Sequence, residues 1–545
     1  MIVEYLALFV VIFLIVRPIL NKIFRTNKLP PSPIGLPIIG HFHLLGPIIH
    51  RSFKQFTDRY GPIISLRLGS IPCIVISSPE LARDFLKTNE QYFCEHNASI
   101  AVNRLTYASS VAFAPYGPYF KFIKKLTINE LLGTRPVNSF AALRTKERNR
   151  FLQLLREKSQ RGETVNLTDE LPKLSNNIVS QMILGTSNDG DYADEARIVI
   201  KEVTKVFGEF NLSDFVWFLK NVDLQGIGKR IEATFKKYDT LLEKIISERE
   251  ELRRKRKKMV SSLDNNDIDQ NYENGVLNNN NNNVEVKDFL DILLDNLEDH
   301  KEDIKLSRVH IKAIIVDYFT AGTDTTAITT EWALAELINN PKVLGKARQE
   351  IDRVVGKTRL VSESDSPNLP YIQAIIKETL RLHPPLPLLE RKCVKQCQIG
   401  EYIIPENAML FVNNWAMARD PKTWESPMDF RPERFLVESN EGGGLKMGPI
   451  DVKGNNFQLL PFGAGRRMCP GVNLATQMLP ALLANIIQCF DLTVPDSQGG
   501  DPRAVNDLGV LNMEEAPGFT GPRLHELICL PVPRLGSPLI STIEA

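Results

Sequence analysis

The run Pro461-Phe462-Gly463-Ala464-Gly465-Arg466-Arg467-Met468-Cys469-Pro470-Gly471 concentrates residue types that together can hold a metal centre. A cysteine ligates through its thiolate, which stays deprotonated only beside positive charge and inward-pointing backbone N–H groups. Gly463, Gly465 and Gly471 let the backbone turn tightly and aim those amides at the sulfur of Cys469. Arg467 can neutralise an anionic edge of whatever Cys469 holds. Pro470 closes the loop, and the apolar run Val472 to Cys489 reads as a helix with its positive N-terminus toward the sulfur. One axial thiolate on a haem iron fits this design, because the sulfur pushes electron density toward O–O cleavage. A Gly-rich surface turn with an incidental cysteine is the alternative, and the fixed spacing of Phe462, Gly465, Arg467, Cys469 and Gly471 is more specific than that.

Two further groups could serve the same centre. Ala321-Gly322-Thr323-Asp324-Thr325-Thr326 lies inside a helical pattern from Arg308 to Asn339. A glycine followed by β-branched residues is poor helix material, so a local distortion is expected there. Such a groove has room for dioxygen, with Thr325 as a hydrogen-bond partner and Asp324 as a proton relay. Threonine back-bonding in an ordinary helix is the other reading. Lys377-Glu378-Thr379-Leu380-Arg381 puts Glu378 and Arg381 on one helical face, and Phe430-Arg431-Pro432-Glu433-Arg434-Phe435 adds Arg434.

The loop follows the pattern F-x-x-G-x-R-x-C-x-G, and on it the chain resembles the cytochrome P450 family of heme-thiolate monooxygenases. That resemblance implies a mainly α fold with a small β region, a heme b cofactor, and O2 as co-substrate. It also implies electrons drawn from NADPH through NADPH-cytochrome P450 reductase. Cys469 becomes the proximal iron ligand, Arg467 a propionate partner, Asp324 and Thr325 the oxygen-activating pair, and Glu378, Arg381 and Arg434 a buried triad supporting the haem loop. Family members usually carry tryptophan where this chain has Phe120, and phenylalanine has no N–H to offer a propionate. Lys124 keeps the positive charge expected on that helix, so Lys124, but not Phe120, carries over as a propionate partner. Arg391, past Pro384-Pro385-Leu386-Pro387, is a third propionate candidate or an ordinary surface arginine.

The elements that must position these residues come from the rest of the chain. Its 545 residues are 43% hydrophobic and carry a net charge of +1, enough apolar surface for a large core and no signature of a nucleic-acid binder. Tyr5 to Val16 is unbroken apolar sequence, and Ile2 to Leu20 approaches the ~20 residues of a membrane helix. Lys22, Arg25 and Lys28 follow it, which keeps the body of the chain cytosolic. A cleaved signal peptide is the rival, but no small-residue cleavage site stands out. The expected plan is a membrane anchor at 1–20, a basic and Pro-rich tether at 21–37, a catalytic domain at 38–534 and a tail at 535–545. Ile63–Leu68 and Cys73–Ile76 read as strands, and helical periodicity dominates from Pro79 to about residue 390. The basic and Asn-rich stretch 253–283 reads as a disordered surface insertion. Seven cysteines, mostly in apolar settings, suit buried free thiols, and Cys393 with Cys397 lacks the second pair of a zinc site.

Within the family the closer resemblance is to plant endoplasmic-reticulum members that oxidise flavonoids, the flavone synthase II and isoflavone synthase group. Phe207 to Phe215, Asp223-Leu224-Gln225-Gly226 and Glu331 to Pro341 carry it. Ala112-Phe113-Ala114-Pro115-Tyr116 and Thr320 look like flavone synthase, whereas Met468 to Thr476 and Arg391-Lys392-Cys393 look more like isoflavone synthase. Glu390 stands where isoflavone synthases typically carry lysine. The implied substrate is a flavanone, met by Asn103 to Ala114, Phe207 to Trp217, Val316 to Thr320, Leu386 to Leu389 and Pro517 to Thr520. Flavone formation, aryl migration, and pterocarpan or triterpene hydroxylation remain open within the enzyme class. A non-catalytic haem-binding protein is the reading from another class.

Overall fold

A computed structural model describes residues 28–185, 192–220, 222–261, 287–298, 304–438, 445–495, 510–534 and 536. The expected anchor at 1–20 and the first part of the tether lie outside the described residues, as do most of the 253–283 stretch and nearly all of the tail.

Helices carry the molecule. Those that bear on the site are α1 (Pro118–Thr127), α2 (Leu167–Leu184), α3 (Tyr192–Gly208), α4 (Ile227–Ser261), α5 (Arg308–Asn339), α6 (Pro370–Leu382) and α7 (Val472–Cys489). The long helix α5 is apolar on nearly every side, which is the pattern of a helix buried all round. It packs against α2, α3, α6 and α7 and so runs through the middle of the core. Ser307 caps its start in a reciprocal box with His310. Helix α7 is apolar enough to cross a membrane by composition, but it sits in the same core.

Beside the helices lies a small sheet, β1 (Ile63–Leu68), β2 (Ile71–Ile76), β3 (Leu388–Lys392) and β4 (Met409–Asn413), in the order β1-β2-β4-β3. β1 and β2 pair antiparallel with Ile63 opposite Ile76. β4 joins β2 in parallel, and β3 closes the edge antiparallel to β4, setting Arg391 opposite Leu410. The second strand starts two residues before the expected Cys73, because Ile71 and Pro72 pair with Leu68 and Arg67.

Two expectations change. Residues 253–261 are not part of an unstructured insertion but the last turns of α4. Arg253 reaches across to Asp295 at 2.6 Å and Glu298 at 3.3 Å, and Lys257 to Glu298 at 2.8 Å, so these two members of the basic run are met by the helix Phe289–Glu298, while Lys255 pairs with Glu251 on α4 itself. The expected distortion at Gly322 is also absent, since α5 stays α-helical from Arg308 to Asn339. The hydroxyls of Thr320, Thr325, Thr329 and Thr330 each donate to the carbonyl four residues back, so the threonine back-bonding of the other reading is what the helix shows.

Candidate haem-binding and oxygen-activation site

The cysteine loop is built by its own backbone. Gly463 and Gly465 have φ of +71° and +69°, a conformation that side chains resist. A Cβ on Gly465 would also lie 2.5 Å from the Leu86 carbonyl oxygen. Cys469 N–H donates to Phe462 O at 2.9 Å, and the Gly471 N–H points at the sulfur from 3.4 Å. Phe462 packs half-buried against the main core and anchors the other end. Cys469 is exposed, yet its thiol is pushed above its ordinary range, desolvation being the largest cause. The two findings together put the sulfur against an internal space rather than bulk water. The Gly471 amide and the Lys124 charge pull the other way and favour the thiolate.

Three cations surround this loop. Lys124 Nζ, on α1, donates to Arg466 O at 2.7 Å. Burial lowers its pKa, and repulsion from Arg467 adds to that. Arg391 is almost fully buried and Arg467 partly so, and desolvation takes both down to about 10; repulsion from Arg467 adds to the fall at Arg391, whereas Cys94 and Glu95 oppose it at Arg467. Like charges held close and desolvated ask for an anion. None of the three makes an ion pair among the described residues. A dianionic group such as the two propionates of haem fits these side chains, and a free sulfur facing an internal space fits its iron. The guanidinium of Arg467 meanwhile rests on the carbonyl of Cys94 at 2.7 Å, and on those of Ala112 and Ala114. Phe120 takes a part of its own: its ring lies 3.9 Å beneath the Arg467 guanidinium carbon, a cation–π platform in place of an N–H donor.

Sequence reasoning did not pick out His96. Its Nε2 sits 3.3 Å from Arg391 Nη1, and burial, then Arg391 and Arg467, drive its pKa well below the ordinary value, keeping it neutral. A lone histidine between polar residues carries no spacing signal, so only the fold reveals it.

Helix α5 opens at one place. Residues 311–319 and 326–337 are buried, whereas Ala321 is exposed and Gly322, Asp324 and Thr325 are half-exposed. Thr325 Oγ donates to Ala321 O at 2.7 Å, which leaves the oxygen's lone pairs free to accept. The Asp324 carboxyl is raised by burial, an effect that Thr204 and Lys201 on α3 reduce. A carboxyl raised toward neutrality is suited to passing protons.

The triad residues meet. Arg381 grips Glu378 with two bonds of 2.7 and 2.8 Å, and Arg434 Nε donates to the same carboxylate at 3.0 Å. Glu378 and Arg381 are fully buried, so this is no weak surface pair. The remaining donors reach carbonyls of Ala418, Pro427 and Asp429 from Arg381, and of Glu425 and Ser426 from Arg434. Every charge is met, the condition for a buried pair to hold.

Of the expected substrate-facing segments, several are in contact. A Cβ on Gly208 would lie 3.5 Å from Phe519 N, and one on Gly521, just past the expected segment Pro517 to Thr520, 3.2 Å from Pro387. Gly521 N–H donates to Pro385 O at 3.1 Å.

The cytochrome P450 family model matches residues 30–517, nearly all of the described chain. The chain is a cytochrome P450. It is 53% identical over 510 residues to "Cytochrome P450 93B2" of Gerbera hybrida, covering 93% of this chain and 92% of that one. It is 46% identical to the "2-hydroxyisoflavanone synthase" of Glycyrrhiza echinata, covering 97% and 96%. It is also 46% identical to the "3,9-dihydroxypterocarpan 6A-monooxygenase" of Glycine max, covering 93% and 94%. Among solved structures, a zebra fish cytochrome P450 with progesterone superposes with a TM-score of 0.68, covering 90% of this chain and all of the other. At 23% identity that likeness shows the fold. The protein is thus a monooxygenase of the P450 class, working with haem iron, dioxygen and reductase-supplied electrons.

Proposed function

We propose that Cys469 is the axial ligand of the haem iron and that the enzyme oxidises a flavanone at C-2, giving a flavone directly or through a 2-hydroxyflavanone. The exposed yet desolvated sulfur inside the Cys469 loop carries the first half. Haem bound through a thiolate supplies the activation of dioxygen. Lys124, Arg391 and Arg467 neutralise the propionates, and Phe462, Gly465 and Gly471 shape the loop. Asp324 takes protons in from the α3 side, and Thr325 Oγ orders the hydrogen bonds at the oxygen-binding groove. Glu378, Arg381 and Arg434 hold the haem loop's support and take no part in chemistry.

Support for the flavanone comes from the names carried by relatives and from Ala112–Tyr116 and Thr320, which resemble the flavone synthases. Glu390 argues against aryl migration, since isoflavone synthases resemble one another in carrying lysine there. The membrane anchor at 1–20, the tether at 21–37 and the catalytic domain at 38–534 place the enzyme on the cytosolic face of the endoplasmic reticulum, beside NADPH-cytochrome P450 reductase. Incubating microsomes containing the chain with naringenin and NADPH tests the reaction. A flavone or 2-hydroxyflavanone is expected, and a product with its aryl ring on C-3 overturns this choice in favour of isoflavone synthase. Loss of the thiolate-type carbon monoxide band in Cys469→Ala tests the ligand separately from the substrate.

A further inference from the structure

Between α5 and the cysteine loop runs the segment Ser110–Ala114, and its polar groups are shared among Asp317, Arg467 and its own Ser110 hydroxyl, which accepts from the Ala112 N–H at 3.0 Å and the Phe113 N–H at 3.1 Å. Asp317 takes its donors: Ser110 Oγ at 2.7 Å, the Val111 N–H, and the Ala112 N–H at 3.4 Å. Arg467 takes its acceptors, the Ala112 carbonyl at 3.3 Å and that of Ala114. Asp317 and Ser110 are buried, and among the described residues no cation pairs with this carboxylate. The titratable groups facing it are the phenols of Tyr119 on α1, Tyr238 on α4 and Tyr318 on α5, all kept neutral by burial. An isolated carboxyl is costly to bury, and its compensation here is the set of donors it collects. Those donors belong to one loop, one helical turn before the opening at Ala321.

We infer that Asp317 is a positioning residue, fixing Ser110–Ala114 across the face of the site so that the pose of a bulky ligand over the haem depends on this one carboxylate. Phe113, next to the bonded amides, has its ring edge-on to His96 at 5.6 Å, so a loop set by Asp317 also sets an aromatic wall. The inference rests on Cys469 holding the haem but not on the substrate being a flavanone.

The test uses full-length enzyme in detergent, with imidazole and 4-phenylimidazole as probes read by the shift of the haem absorption. Imidazole reaches the iron without touching the walls, whereas the phenyl ring needs them. In Asp317→Asn and in Ser110→Ala, imidazole affinity is expected to hold while the ratio of the two affinities changes by about fivefold or more. With naringenin, the same variants are expected to lose product formed per NADPH more than they lose haem. A merely structural role would lower haem content and leave the ratio alone. An unchanged ratio in haem-retaining Asp317→Asn overturns the inference, and Asp317→Glu, which keeps the charge but displaces the carboxylate, decides if the asparagine variant does not fold. A wild type without the thiolate-type carbon monoxide band would instead sink the Cys469 reading, and failure to turn over naringenin would sink only the flavanone.

Discussion

Buried charge decides which single residues can be tested cleanly. Glu390 is raised to about 7, burial being the cause that Asn97 and Arg391 oppose. A carboxyl whose folded pKa lies above its unfolded one binds extra protons when folded, so its cost is absent at low pH. That cost grows as pH rises from about 4.5 to 7. Glu390→Gln removes the charge and keeps the shape. Its stability to unfolding should match wild type near pH 4 and exceed it at pH 8 by about 3 kcal/mol, at roughly 1.4 kcal/mol per pKa unit. Parallel pH profiles for the two proteins would contradict the buried-carboxyl argument. Thr325 offers a second test at this scale. Its hydroxyl is satisfied by Ala321 O, so Thr325→Ala should fold and bind haem normally. Product per NADPH should fall by roughly 10-fold or more, with peroxide rising to match, as expected of a lost proton-handling group.

At the scale of elements, α5 is held against α2 by a glycine. A Cβ at Gly322 would lie 2.8 Å from Val179 Cγ2, and a β-branched side chain has little freedom to swing away. Gly322→Ala gains about 0.5–1 kcal/mol of helix propensity but meets an overpacking cost of about 1–3 kcal/mol. Net destabilisation is expected, and Val179→Ala in the same chain should recover part of it. A Gly322→Ala protein as stable as wild type would mean that the helices part freely. The same region shows what sequence conveys. The cysteine loop, the helix Val472–Cys489 after it, and the Glu378/Arg381 spacing were readable because each is a local pattern of types at fixed intervals. The burial of Glu378 came from the family resemblance alone, since spacing assigns a face but not its neighbours. The end of α4 was misplaced because the charges that stabilise Arg253 and Lys257 sit on a helix some forty residues away. His96 left no trace, and Asp317 none beyond its place in the expected segment Val316 to Thr320, both being single polar residues whose partners are distant in the chain.

Taken whole, the molecule exposes large apolar side chains unevenly. Ile34 and Leu36, at the end of the expected tether, and Ile38 just past it are 80%, 47% and 55% exposed. Trp217 and Leu224, in the segment after α3, are 76% and 64% exposed. The two groups adjoin, because Phe42 packs edge-on against Phe210 at 5.0 Å and Phe215 at 5.3 Å. An apolar surface of this kind asks for a covering, and its nearness to the point where the proposed anchor enters makes a bilayer the natural one. A chain starting at residue 28 should therefore be released from membranes by carbonate yet still co-sediment with neutral phosphatidylcholine vesicles. Replacing Trp217 and Leu224 by serine should weaken that binding by about 10-fold or more, since each large side chain contributes about 1.5–3 kcal/mol when fully covered. The double variant should keep its haem in detergent, because neither side chain is buried in the fold. Vesicle binding of the residue-28 chain that survives both substitutions would show that Trp217 and Leu224 take no part in holding the enzyme to a membrane.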